Sequence, residues 1–240
     1  MEQWDAYGTS VDPESLLGRP CFGGLDLSST TDLSAFVLVF PSKDGRLDVI
    51  PYIFIPGEGL RERGLRDRVS YETWVRQGHV IATPGPTVDY AVIKQTILAA
   101  SKKYDLKDVN YDRWGATQMV QELTLEQVSM VEIGQGMASM SAPTKEMLRL
   151  VMEKRLNHGK HPVLRWNAEN AAAKFDEAGN VKLDKAKSTA RIDGLMATIM
   201  ALDGYMRRGP RYLRVSVYDR RLAEDKRLEE ESVNGRPTER

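Results

Sequence analysis

Three apolar segments joined by short connections open the chain, and they constrain its fold more than any other feature. FGGLDLSS reads as a buried strand and SAFVLVF as a second, and Asp44-Gly45 turns the chain into LDVIPYIFIP. Three such strands in succession predict an antiparallel meander at the start of a sheet. The period then changes. From Thr87, which can cap a helix, Tyr90, Ile93, Ile97 and Ala100 fall on one helical face. Asp108-Val109-Asn110-Tyr111 reads as a strand ending at Asp112, Ala116 to Leu123 as a short helix and VSMVEI as another strand. Ser141-Ala142-Pro143 opens a further helix that closes at His158-Gly159. Ala178-Gly179-Asn180 predicts a hairpin turn, and Ile192, Leu195, Met196, Ile199 and Met206 mark a last helix. The expected architecture is an α/β domain whose sheet starts antiparallel, continues parallel and is flanked by helices, with an auxiliary β-hairpin.

Residues 57–86, with GLRERGLRDR and TPGPT, read as a covering insertion holding one short helix near Tyr71–Gln77. The division expected is an irregular segment over 1–20, one domain over 21–208, and a charged, partly disordered tail over 209–240. A chain of 240 residues, 41% hydrophobic and 28% charged, is long enough for one sizeable core. Acidic and basic residues balance at 34 each, so charge placement rather than charge sum must carry any argument about a polyanionic partner. The single cysteine, Cys21, excludes an intrachain disulfide and a cysteine-rich zinc site. With no signal-like start and no apolar run of roughly 20 residues, a soluble intracellular protein is expected.

Three aspartates stand at informative places. Asp26 lies within an apolar strand, where a carboxylate is costly unless paired or bound to metal. Alternation puts Gly24, Asp26 and Ser28 on one face, lined by small residues, which predicts room there for a metal and a phosphate. Asp112 ends a strand, where open α/β sheets present functional groups. Asp193 sits beside Met196 and Met200 at the edge of the last helix's buried stripe. Each of the last two has an ordinary alternative as a cap. Scattered carboxylates at the rim of a core suit Mg²⁺ or Mn²⁺. Two such ions about 3.5–4 Å apart would serve phosphodiester hydrolysis, with Asp32 as a further oxygen donor. His79, His158 and His161 form no ligand set, and Trp166 reads as core or a hairpin anchor. Arg113, next to Asp112, and Lys185, Lys187 and Arg191, just ahead of Asp193, are brought near such a site by chain geometry. They are the candidates for holding DNA phosphates outside the carboxylate cluster, against the ordinary alternative of solvated surface charges.

GLDLSSTTDLSAF, NYDRWGATQMVQEL and KSTARIDGLMATIMAL resemble, in that order, the three acidic motifs of the nuclease domain of tailed-phage terminase large subunits. WVRQGHVIATPGPTVDY and SAPTKEMLRLVMEKRLNHGKHPVLRWNAEN also resemble that family, so the likeness spans roughly residues 3–207. It implies a ribonuclease-H-like fold, an Mg²⁺- or Mn²⁺-dependent endonuclease, and Asp26, Asp112 and Asp193 as the metal-binding catalytic triad with Asp32 auxiliary. It also implies cutting of concatemeric double-stranded viral DNA during genome packaging in the cytoplasm of an infected bacterium, beside portal protein and the small subunit. No GxxxxGKS or GxxxxGKT occurs, so the phosphate-cradling loop of the family's ATPase motor is absent from this sequence.

Two other readings stay open at this point. GLDLSSTTD also resembles the phosphate loop of actin-like kinases and ATPases, a fold that needs a second phosphate loop and a second lobe. Alternatively the domain is a catalytically weak module that binds DNA or portal, with GLRERGLRDR and YDRRLAEDKRLEEE as docking surfaces; mixed charge of this kind is ordinarily a solvated face.

Overall fold

Strand β1 (Pro20–Asp26) is apolar and small-residued on both sides because both of its faces are covered. In the computed structural model, which describes residues 1–28, 32–113 and 117–212, it sits inside a mixed seven-stranded sheet. It pairs antiparallel with β2 (Ser34–Pro41), which pairs antiparallel with β3 (Leu47–Pro56), so the expected meander is present. A helix α1 (Glu2–Asp5) and a 3-10 turn (Pro13–Leu16) precede β1, and Trp4 and Leu16 of these are buried.

The segment after β3 holds more structure than one short helix. It contains α2 (Leu60–Asp67), α3 (Tyr71–Arg76) and a strand β4 (Ile81–Thr83) parallel to β3. The Gly-and-charge text of α2 hides its helix because it buries only Gly64 and so lacks an apolar stripe. Helix α4 (Tyr90–Lys103) follows, capped by the Asp89 side chain rather than by Thr87. Next come β5 (Asp105–Tyr111), parallel to β1, then α5 (Thr117–Leu125) and β6 (Met130–Glu132), parallel to β5. Ala116, expected in that helix, lies outside the described residues.

Helix α6 (Met137–Met152) starts a turn earlier than its proline suggests and carries Pro143 in its interior. The chain then forms β7 (Leu156–Asn157), paired with β3, and α7 (Pro162–Asn170), where the sequence pattern predicts only the end of a long helix and a hairpin. The hairpin itself is shorter, β8 (Ala173–Phe175) against β9 (Val181–Leu183), turning at Gly179 with φ +74°. Helix α8 (Asp193–Tyr212) closes the described fold, running past the boundary expected at 208; residues 213–240 of the expected tail lie outside the described residues.

Alternation along β1 and β2 divides the core. Cys21, Leu25, Phe36, Leu38 and Phe40 face α4 and α5, while Phe22, Ala35, Val37 and Val39 face α6 and α8. Burying both faces explains why β2 reads as an unbroken apolar run, and each large side chain so buried contributes about 1.5–3 kcal/mol. At Gly24 the approach of α8 is closest: an added Cβ would lie 1.9 Å from the Ala197 carbonyl oxygen. The small-residue face of β1 therefore does not leave room for a metal and a phosphate at Gly24. It admits the backbone of α8 instead.

Candidate active site

Parallel pairing of β1 with β5 aligns Leu25 with Tyr111, so Asp26 and Asp112, the next residues of each chain, leave the sheet side by side at its carboxyl edge. That edge is where α/β sheets present functional groups. Asp193 is the first residue of α8, the helix laid across β1, so its carboxylate meets the same edge at a helix N-terminus that favours negative charge. Asn167, fully buried on α7, holds that terminus. Its side-chain oxygen accepts from Gly194 N at 2.9 Å and its amide donates to the Arg191 carbonyl at 2.8 Å.

Asp26 and Asp193 are both buried and converge on one cation. The Lys185 ammonium donates to Asp26 Oδ2 at 2.6 Å and to Asp193 Oδ1 at 3.2 Å. Gln135 donates to Asp26 Oδ1 at 3.1 Å. Burial pushes the Asp26 carboxyl up to about 7, opposed by Lys185 and reinforced by the charge of Asp193. Burial would lower the Lys185 ammonium, but the two carboxylates outweigh it and hold its pKa above the ordinary lysine value. The lysine side chain is 41% exposed, so it reaches the buried carboxylates from the solvent side. The remaining Asp193 oxygen, Oδ2, is buried and accepts no hydrogen bond among the described residues.

This donor set fits a hard divalent cation in three respects. All its donors are oxygens, one buried oxygen lacks a partner, and a single positive charge already bridges the pair. Asp112 is half-buried beside this pair. Among the described residues no three acidic, histidine or cysteine side chains close around one point, so two of the expected triad are brought together and the third stands one strand away.

Asp32 is placed differently. Its Oδ1 is 2.5 Å from Arg191 and 3.5 Å from Arg66, so arginines rather than the acidic pair engage it. Arg113 and Lys187 are exposed, Arg191 is half-exposed and paired with Asp32, and Lys185 is the bridging cation. His79 and His161 meet edge to face at 5.0 Å, and His158 stacks on Trp4; neither pair touches the acidic residues. Trp166 packs with Trp74 and Tyr71 on α7, not on a hairpin. Gln135 and Asn167 have no sequence signal: a glutamine in a loop and an asparagine in a helix carry no pattern, since only the tertiary fold brings them to Asp26 and Gly194.

A sheet that begins as an antiparallel meander and continues parallel, with carboxylates at its carboxyl edge and on the helix crossing it, is of the ribonuclease-H-like class. The family described as the terminase large subunit, endonuclease domain, matches residues 1–208, and the chain belongs to that family. It is 39% identical over 186 residues to the terminase large subunit of Enterobacteria phage HK97, covering 77% of this chain and 37% of that protein. The crystal structure of the HK97 large terminase superposes with a TM-score of 0.78 at 36% identity, over 85% of this chain and 42% of that one. The large terminase nuclease from thermophilic phage G20c with bound cobalt gives a TM-score of 0.54 at 12% identity, over 83% and 94%, a likeness of fold. The chain thus spans less than half the length of the HK97 protein it matches. Among the described residues no helix is long and apolar enough to cross a membrane.

Proposed function

We propose that this domain is a metal-dependent endonuclease that cuts double-stranded viral DNA during genome packaging. The observation that carries the reading is the pair of buried carboxylates Asp26 and Asp193, bridged by Lys185 at the carboxyl edge of the sheet, in a member of the terminase endonuclease family. Asp26 and Asp193, with Asp112 from the neighbouring strand, would hold Mg²⁺ or Mn²⁺. The cobalt bound in the G20c nuclease supports a divalent ion on this fold. A divalent ion held there would supply the Lewis acidity that activates a water and stabilises the leaving 3′ oxygen of a phosphodiester, with a second ion sharing that work in a two-metal site.

The residues themselves do the rest. Burial at the start of α8 fixes Asp193, Gln135 orients Asp26 through one oxygen, and the shared edge of β1 and β5 sets the spacing to Asp112. Asp32 holds Arg191 at the rim, where Arg113, Lys187 and Arg191 meet phosphates outside the acidic cluster, and Asp32 itself is an auxiliary donor only once released from its arginines. In the full packaging motor the domain would act beside an ATPase, portal protein and small subunit, in the cytoplasm of the infected host, on concatemeric DNA.

The test is plasmid cleavage by the purified chain with Mn²⁺, Mg²⁺ or EDTA. Nicking or linearisation is expected with metal and none with EDTA, and Asp26→Asn, Asp112→Asn and Asp193→Asn should each abolish it with the fold intact. Cutting in EDTA would sink the metal reading, and wild-type cutting by one variant would remove that residue from the site.

A further inference from the structure

Beside the acidic pair lies a cleft of about 930 Å³. One wall is the end of α2, Arg66 to Val69, and the other is the stretch Ser188 to Arg191 that leads into α8. Lys185, the residue that bridges Asp26 and Asp193, lines it as well, so the cleft adjoins the acidic pair through that lysine. Its floor includes Trp166, held by Trp74 at 5.6 Å and Tyr71 at 6.2 Å between ring centres. Small-molecule pockets are mostly apolar. Here only Val69, Trp166 and Ala190 among the twelve lining residues are apolar.

The charge of the lining is asymmetric. Four cations, Arg66, Arg68, Lys185 and Arg191, face two carboxylates, Asp67 and Glu169. Both carboxylates are already engaged: Asp67 accepts two bonds from Arg66, at 2.8 and 3.1 Å, and Glu169 lies 3.6 Å from Arg165. Arg66 and Arg191, from opposite walls, share Asp32 Oδ1. Arg68, exposed at the end of α2, makes no ion pair among the described residues. Of the four cations, Arg68 is thus the one that the protein's own carboxylates leave unengaged among the described residues.

We infer that this cleft is a binding site for the phosphate backbone of the DNA strand that runs into the acidic pair, with Arg68 and Arg191 as its anchors. It rests on the proposed nuclease reading for the direction of the strand and for Arg191, and adds the cleft and Arg68, which that reading does not contain. Arginine forks suit phosphate oxygens. The Asp32 carboxylate, sitting between Arg66 and Arg191, marks where an anionic oxygen is already accepted across the cleft. An acidic peptide would find the same cations, but through Lys185 the cleft adjoins the acidic pair at which the proposed reading cuts a phosphodiester. That adjacency favours a nucleic acid.

The test is fluorescence anisotropy of a labelled duplex with the whole chain in EDTA, so that nothing is cut, over a range of salt. Each phosphate contact contributes a log–log slope of about −0.9. Arg68→Ala should flatten the slope by about one unit and weaken binding several-fold, evenly across sequences, with unchanged Tm, and Arg68→Glu should weaken it further. Lys94→Ala, whose lysine pairs with Glu122 between α4 and α5, should leave both unchanged. A wild-type slope in Arg68→Ala, or no salt-dependent binding by the wild-type chain, overturns the inference. The nuclease reading fails separately. If Asp26→Asn abolishes cutting while Arg68→Ala binds like wild type, only the cleft assignment falls. If Asp26→Asn still cuts while Arg68→Ala has the flatter slope, only the catalytic assignment falls.

Discussion

The Lys185 ammonium lies 2.6 Å from Asp26 Oδ2 and serves as the internal counter-ion of a carboxylate that the core would otherwise leave uncompensated. The same ammonium reaches Asp193, so one lysine bridges two buried carboxylates. Removing one partner of a fully buried pair costs about 3–5 kcal/mol. The lysine side chain is 41% exposed, so solvent screening brings this down towards the roughly 1 kcal/mol of an exposed pair. Lys185→Met should therefore lower the metal-free Tm, by about 2–4 °C for each kcal/mol lost. It should also bind Mn²⁺ more tightly, because the ion no longer competes with the ammonium. Thermal unfolding in EDTA and with increasing Mn²⁺ reads both effects. An unchanged metal-free Tm with no larger Mn²⁺-induced rise would mean that the bridge carries no energy.

Gly24→Ala tests how β1 and α8 are held together. The added methyl would meet the Ala197 carbonyl oxygen at 1.9 Å and the Ala201 nitrogen at 2.6 Å, both backbone atoms inside a helix. Neither can rotate away, so α8 must lift from the sheet and take Asp193 with it. Overpacking costs about 1–3 kcal/mol where side chains yield, and more is expected here. The variant should be strongly destabilised or insoluble by circular dichroism and sedimentation. A wild-type melting curve would show that the helix is free to shift.

Much of this architecture is legible in the sequence. Period-2 and helical patterns locate the three-strand meander, α4, β5 and α8, because each buries a stripe or a face whose spacing survives in the order of residues. Asp26 is conspicuous for the same reason: a charge inside an apolar strand stands against its pattern. Helix α2 is not legible, since a helix that buries one glycine has no stripe to read. Strand β7, of two residues, is too short for any period. Proximity in the chain places Lys185 near the site and says no more. That its ammonium turns inward to Asp26 instead of outward depends on where β9 delivers it, a tertiary fact. The filled space at Gly24 escapes the pattern because small residues admit a ligand and a helix backbone equally well.

Asn167→Ala removes the only side-chain hydrogen bond to Gly194 N among the described residues and leaves the Arg191 carbonyl without its donor. Losing such a buried link costs about 1–3 kcal/mol. The larger effect should fall on Asp193, whose position depends on where α8 begins. Metal-dependent cutting should fall through kcat, with DNA affinity in EDTA unchanged, as befits a positioning residue. Equal kcat in the variant and wild type would confine Asn167 to stability.

His161 sets an acid limit on the fold. Burial and the neighbouring charge of His79 lower its pKa from 6.5 to about 4, and its Nδ1 is buried without a partner among the described residues. Between those values the unfolded chain holds a proton that the folded chain does not, so the group favours unfolding increasingly as pH falls from about 6.5 towards 4. Above 6.5 both states are neutral and the contribution vanishes. Each pH unit crossed in that window removes at most about 1.4 kcal/mol, so the loss is on the order of 3 kcal/mol at the acid end. His161 precedes α7 as its N-cap, a position that asparagine fills well. His161→Asn should thus keep stability at about pH 7.5 while declining less steeply than the wild type between pH 6.5 and 4. Denaturant unfolding at several pH values measures both slopes. Parallel slopes would show that His161 takes up its proton in the folded state, and that the His79–His161 contact is no barrier to charge.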